Sequence, residues 1–153
     1  MRTSGPAAAL ATAGLVVAID QATKQLAVSG IERGEEVDVF FGLAITNARN
    51  TGVAFGALEG GGAVVAVLIG LSLALLVGYF AIHREKPWLW LPVGLLLGGA
   101  LGNLADRARI GAVIDFIDPV AWPAFNVADG CIVIGVLALL YVVEGRERRK
   151  GTG

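Results

Sequence analysis

Four long apolar stretches dominate this 153-residue sequence and limit what it can fold into. A helix needs about 20 residues, at ~1.5 Å per residue, to cross the ~30 Å hydrocarbon core of a bilayer. With 56% hydrophobic and 16% charged residues, the chain has too little polar surface for a soluble domain of this length. The pattern predicts an all-α membrane protein, one polytopic domain over residues 1–153. Its four transmembrane helices are predicted at residues 7–28, 64–82, 88–104 and 125–143.

The first stretch also has the length of the apolar part of a secretory signal peptide, and Arg2 precedes it. No small-x-small cleavage site follows, because the polar run from Asp20 to Lys24 comes next. Since the later stretches already make the protein polytopic, we favour a retained helix over a cleaved signal.

The distribution of lysine and arginine predicts the orientation, because cytoplasmic loops carry the excess. With four spans, both termini and the loop at 83–87 share one side, which holds seven basic and three acidic residues. The other side holds five basic and ten acidic residues. Both termini are therefore predicted to be cytoplasmic. The basic residues of that side are Arg2, Arg84, Lys86, Arg146, Arg148, Arg149 and Lys150.

This orientation places three polar groups at one depth, near the outer ends of their helices: Asp20, Asn103 and Asp129. Charged residues within spans are costly, so they usually face a partner or a water-filled site. Small residues also recur every four positions, a spacing that lets helix backbones approach closely in lipid. We interpret them as packing stripes, one formed by Gly94, Gly98 and Gly102 and the other by Gly70, Ala74 and Gly78.

Two longer polar segments, at about 29–62 and 105–124, are predicted to lie outside the membrane. In the first, residues 36–46 alternate and are rich in β-prone types, which predicts a small β-rich element between helices 1 and 2, on the membrane face. The second is dense in carboxylates. Asp106, Asp115, Asp118 and Asp129 fall within 24 residues.

Cysteine and histidine chemistry is close to excluded. The chain has one cysteine, Cys131, and one histidine, His83, so it can form neither an internal disulfide nor a Cys/His zinc site. They lie in different segments, and Ser/His or Cys/His catalysis would need the only histidine beside a nucleophile.

Two carboxylates that meet in a site of low dielectric share one proton, because both cannot ionise readily. If Asp115 and Asp129 meet, the charged member can take a proton from water while the other donates one to a carbonyl oxygen. Such a pair titrates as a unit. It would hydrolyse a peptide bond without metal, cysteine or histidine.

Three of the acids can also be explained by a structural role without catalysis. Asn126 is a good N-cap, so Asp129 fits the first turn of a helix. Asp20 and Lys24, four residues apart with the acid first, fit an ion pair on one helix face, and a structural and a functional role both stay open. Asp106 is expected to pair with the adjacent Arg107.

Three other functions remain open at this level. Intramembrane acids would serve a proton-coupled transporter, although here they crowd one face and the bilayer centre is apolar. A Mg²⁺ site could use Asp115, Asp118 and Asp129. A scaffold without chemistry would leave the clustered outer acids unexplained.

Five blocks in this order resemble the lipoprotein signal peptidases (signal peptidase II), aspartic proteases of bacterial membranes, over nearly the whole chain. Position 130 is glycine, where that family usually has serine. The blocks are Asp20-Gln21-Ala22-Thr23-Lys24, Asn50-Thr51-Gly52-Val53-Ala54-Phe55-Gly56, residues 98–107, Val113-Ile114-Asp115-Phe116 and Phe125-Asn126-Val127-Ala128-Asp129.

The resemblance implies that Asp115 and Asp129 form the catalytic dyad. It also implies that Asp20 and Lys24 support the site from helix 1, and that no metal or other cofactor is needed. The substrate-binding residues it implies are Asn50, Gly52, Asn103, Arg107 and Asn126.

The implied substrate is a prolipoprotein whose lipobox cysteine already carries diacylglycerol, cut just before that cysteine. The other partners expected are membrane lipids, with no nucleic acid, and the protein is expected to be a monomer. The implied location is the bacterial cytoplasmic (inner) membrane, with the active site at the outer leaflet.

Overall fold

The computed structural model describes residues 5–51 and 62–144, with the backbone alone for 62–66. Within these ranges the chain forms four helices and one small sheet. In order they are α1 (Gly5–Gly30), β1 (Glu36–Phe40), β2 (Leu43–Asn50), α2 (Gly62–His83), α3 (Trp90–Ile110), β3 (Val113–Pro119) and α4 (Val127–Glu144).

Helix α3 is the centre of the bundle, and one stripe of its glycines packs against α1. A Cβ atom at Gly94 would lie 2.6 Å from Thr12, and one at Gly98 would lie 2.6 Å from Val16. At Gly102 the same atom would lie 2.6 Å from Oδ2 of Asp20. The prediction of a packing stripe on this helix is therefore confirmed.

The second predicted stripe is wrong. Gly70 and Gly78 have no atom of another residue within 4 Å of an added Cβ, and Ala74 is exposed. Among the described helices, the backbone of α2 approaches only that of α3, and the small residues of α2 face outward. Small-residue spacing permits close packing but does not determine which face a neighbouring helix covers.

Helix α3 extends beyond its predicted end at residue 104. It continues to Ile110, so residues 105–110 of the predicted outer segment are helical. The charge of Asp106 does not end the helix because other buried side chains pair with it, as described below. The helix ends instead at Gly111, whose φ of 72° is left-handed and whose N–H donates to the carbonyl of Arg107.

The sheet has the order β1-β2-β3, and both pairs are antiparallel. The first two strands lie between α1 and α2, as predicted, whereas β3 comes from the segment between α3 and α4 and was not predicted. Its register places Asp115 opposite Ala48, and a bulge in β2 separates that pair from Ile45 and Ile117. Strand β3 thus carries a candidate catalytic residue into the sheet.

Among the described helices, α1 and α4 are each long and apolar enough to cross a membrane. The described apolar part of α2, Val67–His83, is shorter, and α3 carries Asp106, Arg107 and Arg109 near its end. Many outward-facing helical side chains are large and apolar, among them Leu10, Leu75 and Ile82. Apolar outer faces of this kind suit lipid better than water.

Candidate active site

Helix α4 begins with a reciprocal cap between Asn126 and Asp129. The side-chain oxygen of Asn126 accepts the backbone N–H of Asp129 at 2.9 Å, and Oδ2 of Asp129 accepts the backbone N–H of Asn126 at 3.2 Å. This is the capping-box geometry, with aspartate in the third position. The predicted N-cap role of Asn126 is confirmed. The helix therefore holds the Asp129 carboxylate at its positive end.

Asp115 reaches the same asparagine from strand β3. Its Oδ1 accepts the side-chain amide of Asn126 at 2.7 Å, and its Oδ2 accepts that of Asn50 at 3.0 Å. Asn126 is fully buried and Asp115 nearly so. Two carboxylates, one on a strand and one on a helix, thus meet at Asn126: its side-chain amide donates to Asp115 and its backbone N–H donates to Asp129.

The two carboxylates have different environments. Burial raises the pKa of Asp115 above its ordinary value of 3.8, and the nearby charge of Asp129 raises it further. The hydrogen bonds from Asn50 and Asn126 act in the opposite direction but do not reverse the shift. Asp129 accepts two hydrogen bonds at a helix N-terminus, where a negative charge is stabilised.

Asn103 connects this acid pair to a buried charge. Its side-chain oxygen accepts Nζ of Lys24 at 2.9 Å, and its Nδ2 donates to Oδ1 of Asp129 at 2.8 Å. Because an ammonium group can only donate, Lys24 determines which end of the Asn103 amide faces it. The opposite end, a donor, must then face Asp129.

Lys24 itself lies between two carboxylates. Its Nζ is 2.8 Å from Oδ2 of Asp20 and 2.8 Å from Oδ2 of Asp106, and none of the three side chains is more than 1% exposed. The i,i+4 pairing of Asp20 with Lys24 predicted from sequence is confirmed. Oδ1 of Asp20 also accepts the backbone N–H of Ala128 at 2.9 Å, which joins α1 to the start of α4.

Asp106 pairs with Lys24 and Arg109 rather than with Arg107 as expected. The guanidinium of Arg109 lies 2.8 Å from Oδ1 of Asp106 and also donates to the side chain of Gln21. Residues three apart face the same side of a helix, whereas adjacent residues do not. The prediction is wrong because residues 105–110 are helical and not part of an outer segment. Oδ2 of Asp106 also accepts the backbone N–H of Ile114, which fixes the start of β3.

The structure thus joins most of the candidate site residues in one hydrogen-bonded network. Arg107 is half-buried in the last turn of α3, and within the described chain its side chain makes no hydrogen bond or ion pair. Gly52 lies outside the described residues. Sequence reasoning missed Gln21 and Arg109, and helical spacing from Asp106 would have found Arg109. The residues joined are Asp20, Lys24, Asn50, Asn103, Asp115, Asn126 and Asp129.

The alternative Mg²⁺ site does not assemble in the described parts of the chain, where no three acidic, histidine or cysteine side chains are placed to hold a metal ion. Asp118 lies three residues beyond Asp115 on β3, ~10 Å further along the strand. Residues three apart in a strand also point to opposite faces.

Two solved structures share this arrangement of four helices and a small sheet. Each is described as a bacterial membrane enzyme studied by the in meso method, one at 1.9 Å and the other at 2.3 Å resolution. The first has a TM-score of 0.79 at 34% identity and covers 88% of this chain and 91% of its own. The second has a TM-score of 0.82 at 32% identity, covering 95% and 92%. The fold is therefore that of a membrane enzyme.

The chain belongs to the signal peptidase II family. The model of that family, described as signal peptidase (SPase) II, matches residues 12–143. It is thus a protease of the class that processes prolipoproteins. A lipoprotein signal peptidase of Moorella thermoacetica is 42% identical over 143 residues, covering 87% of this chain and 94% of that protein. One of Enterococcus faecalis is 36% identical and covers 90% and 91%.

Proposed function

We propose that this protein is an aspartic endopeptidase that removes signal peptides from diacylglyceryl-modified prolipoproteins, cleaving just before the lipidated cysteine. One observation carries the proposal: the carboxylates of Asp115 and Asp129 both accept hydrogen bonds from the buried Asn126, the first from its side-chain amide and the second from its backbone N–H. An acid pair with one buried and one helix-capping member has the chemistry that peptide hydrolysis needs. The lipid-modified substrate follows from the family.

The environments of the two acids suggest how they divide the work. We assign the role of proton donor to Asp115, because its burial in a strand raises its pKa. Asp129 is placed to act as the base, since Asn103 and the backbone of Asn126 orient its carboxylate at the start of α4. Lys24 supports this assignment from a distance by orienting Asn103.

The reaction then needs no group beyond the pair. Asp129 takes a proton from a water molecule while the oxygen of that water bonds to the scissile carbonyl carbon. Asp115 donates its proton to the carbonyl oxygen. As the C–N bond breaks, Asp129 passes the water proton to the leaving nitrogen, and one hydroxyl of the tetrahedral carbon returns a proton to Asp115. Both acids regain their starting states, so the cycle balances.

The remaining site residues are assigned by position. Asn50 donates to Asp115 from the end of β2, where an extended peptide could lie beside both. Arg107, half-buried in the last turn of α3 without an ion pair in the described chain, is available to a substrate carbonyl. We include Gly52 on the family pattern alone.

We propose that all four helices span the cytoplasmic membrane, with both termini in the cytoplasm and the acid pair at the outer leaflet. The charges of α3 near its end are compatible with this because Asp106 is neutralised by Lys24 and Arg109. The acid pair lies at one end of the bundle, beside the sheet, and not at its centre. That position suits a peptide tethered at a membrane surface better than proton transport.

The sheet carries an apolar rim that would contact lipid in this orientation. Phe41 is 95% exposed and Phe40 packs edge-on against it, while Val120 lies over the hairpin turn at Gly42. Trp122 is 70% exposed beside them. Aromatic side chains are enriched at membrane–water interfaces. The rim thus supports a sheet that lies on the membrane face and contacts lipids. We keep the expectation of a monomer, for which the rim gives no argument.

Cleavage of a defined pair of substrates tests the function. Purified protein is mixed with a diacylglyceryl-modified prolipoprotein or with its unmodified twin, and the products are resolved by gel shift. We expect cleavage of the modified protein alone, before its lipidated cysteine. Equal cleavage of both would remove the substrate assignment while leaving a protease, and no cleavage of either would contradict the proposed function.

A further inference from the structure

An apolar cavity lies between α2, α3 and α4, apart from the acid pair. Its volume is about 420 Å³. Among the described residues that line it, the only polar side chain is Ser72, whose hydroxyl donates to the carbonyl of Leu68 in its own helix. No unsatisfied polar group therefore awaits a partner there, and the cavity suits an apolar occupant. The larger lining side chains are Leu68, Ile69, Leu73, Leu76, Leu96 and Ile132.

The cavity begins about one helical turn from the acid pair. Ile132 follows Asp129 by three residues on α4, and Ala100 precedes Asn103 by three on α3. Three residues of helix rise ~4.5 Å. Both lining residues therefore lie just deeper in the bundle than the side chains that hold the acid pair. When a peptide is bound beside Asp129, an apolar group covalently attached to that peptide could extend into the cavity.

The backbones of α2 and α4 do not approach each other in the described structure, which leaves a gap between these two helices beside the cavity. Side chains of α2 join the bundle core at the end remote from the sheet. There Leu76 and Phe80 pack against the core formed by Leu89 and Val93. An occupant could enter from the bilayer between α2 and α4 without passing through water.

On this basis, and resting on the proposed function, we propose that the cavity binds one acyl chain of the substrate's diacylglyceryl group. An apolar cavity of ~150 Å³ in another protein holds benzene, or ~25 Å³ per carbon, so this volume corresponds to ~17 carbons. The apolar helix of the signal peptide fits less well. A helix ~10 Å wide fills ~420 Å³ in a single turn, so only one of its turns would enter.

The energetic reason for binding differs from that in water. An acyl chain gains little by leaving lipid for an apolar cavity, since both are equally dry. Free lipid tails can fill the same space, but a chain attached to a bound peptide is present beside the cavity at a high effective concentration. Its insertion holds the glyceryl cysteine at a fixed distance from Asp129. The chain thereby contributes to substrate positioning.

The test compares two lipopeptides with the same sequence, one carrying palmitoyl chains and the other butyryl chains. Ala100→Phe fills the cavity from α3, and Ser72→Leu fills it from the exposed face of α2 should the first variant fold poorly. Ala18→Phe is the control, because Ala18 is exposed on α1 at a similar depth. We expect the filling variants to raise KM for the palmitoyl substrate about tenfold.

For the butyryl substrate we expect the KM of each filling variant to stay within about twofold of the unmodified protein, with kcat equally little changed. Ala18→Phe should alter neither substrate. An equal rise of KM for both substrates would overturn the proposal, because it would indicate a disturbed site. An unchanged KM for the palmitoyl substrate would also overturn it, leaving the cavity to a membrane lipid.

This outcome is separable from a failure of the proposed function. If the unmodified protein cleaves neither lipopeptide, the function is wrong. If it cleaves both and the filling variants show no dependence on chain length, only the cavity assignment is wrong.

Discussion

Asn126 donates its side-chain amide to Oδ1 of Asp115 at 2.7 Å, across the gap between helix α4 and strand β3. The oxygen of the same amide caps α4 by accepting the N–H of Asp129. One side chain therefore caps a helix through the backbone of Asp129 and donates to the carboxylate of Asp115. Because the amide nitrogen contacts Asp115 and the amide oxygen caps the helix, a substitution can remove the first contact and keep the second.

Asn126→Asp should separate capping from contact with the acid pair. Aspartate caps a helix as well as asparagine, but it places a third carboxylate beside Asp115. We expect kcat/KM to fall about 100-fold or more, whereas the start of α4 is retained. Asn126→Ala should also lose activity and, in addition, about 1 kcal/mol of capping free energy. Lipopeptide cleavage and thermal unfolding in detergent measure both effects. An Asn126→Asp variant with full kcat/KM would refute the importance of the amide contact with Asp115.

The acid pair itself is tested by neutral isosteres. Asp115→Asn and Asp129→Asn should each lower kcat by about 10³-fold or more, because either loss removes one proton-transfer partner. Glu36→Gln is the matched control, since Glu36 is exposed on strand β1, and it should change kcat little. Membrane insertion and thermal unfolding are followed in parallel. Substantial turnover in either dyad variant would exclude the aspartic mechanism.

Lys24 should be essential to stability because it lies between two buried carboxylates. Lys24→Met leaves Asp20 and Asp106 without their shared cation, and we expect a loss of about 3–5 kcal/mol in the free energy of unfolding. Arg84→Met is the control. Its ion pair with Glu85 is exposed and 3.9 Å long, so its loss should cost less than about 1 kcal/mol. Similar losses of unfolding free energy in the two variants would show that the buried ion pairs of Lys24 contribute no more to stability than an exposed pair does.

The raised pKa of Asp115 predicts the direction of a pH effect. As general acid, Asp115 must be protonated, so kcat/KM should fall as pH rises through its pKa. The hydrogen bond from Asn50 favours the charged form, and Asn50→Leu should therefore raise the pKa further. We expect the alkaline limb of the pH profile to move to higher pH in that variant. A limb that stays in place or moves to lower pH would contradict the role of Asp115.

Stability should respond to the same group. The folded chain holds the Asp115 proton more tightly than the unfolded chain does, because the folded pKa is above 3.8. The stabilising contribution of that proton is therefore complete below pH 3.8 and is lost as pH rises through the folded pKa. Thermal unfolding of the Asp115→Asn variant, compared with the unmodified protein over this range, should lack that component. Identical pH dependence in both would count against the shift.

Close packing of α3 on α1 is tested with one added methyl group. Gly98→Ala places a Cβ 2.6 Å from Val16 and 2.8 Å from the carbonyl of Ala13, so the helices must move apart. We expect a loss of about 1–3 kcal/mol. Gly78→Ala, which meets nothing within 4 Å, should instead be neutral or stabilising by up to about 1 kcal/mol. Equal effects of the two substitutions would disprove the packing assignment.

Much of this protein followed from the order of its residues alone. Apolar length indicated the helices, and the spacing of Gly94, Gly98 and Gly102 indicated a packing face, because both depend on local periodicity. The pairing of Asp20 with Lys24 and the capping role of Asn126 were also local, within four residues. Contacts of this range need no knowledge of the fold.

The tertiary structure decided what local patterns could not. Only the fold could show that Lys24 also forms an ion pair with Asp106 and that β3 brings Asp115 to Asn126. It also showed that Asn103 accepts a hydrogen bond from Lys24 and donates one to Asp129. The helical extension of α3 depended on the same contacts, since an unpaired Asp106 would have argued for a loop. Side chains distant in sequence meet through the packing of helices and strands, and a charge is tolerated in the interior only where that packing supplies its partner.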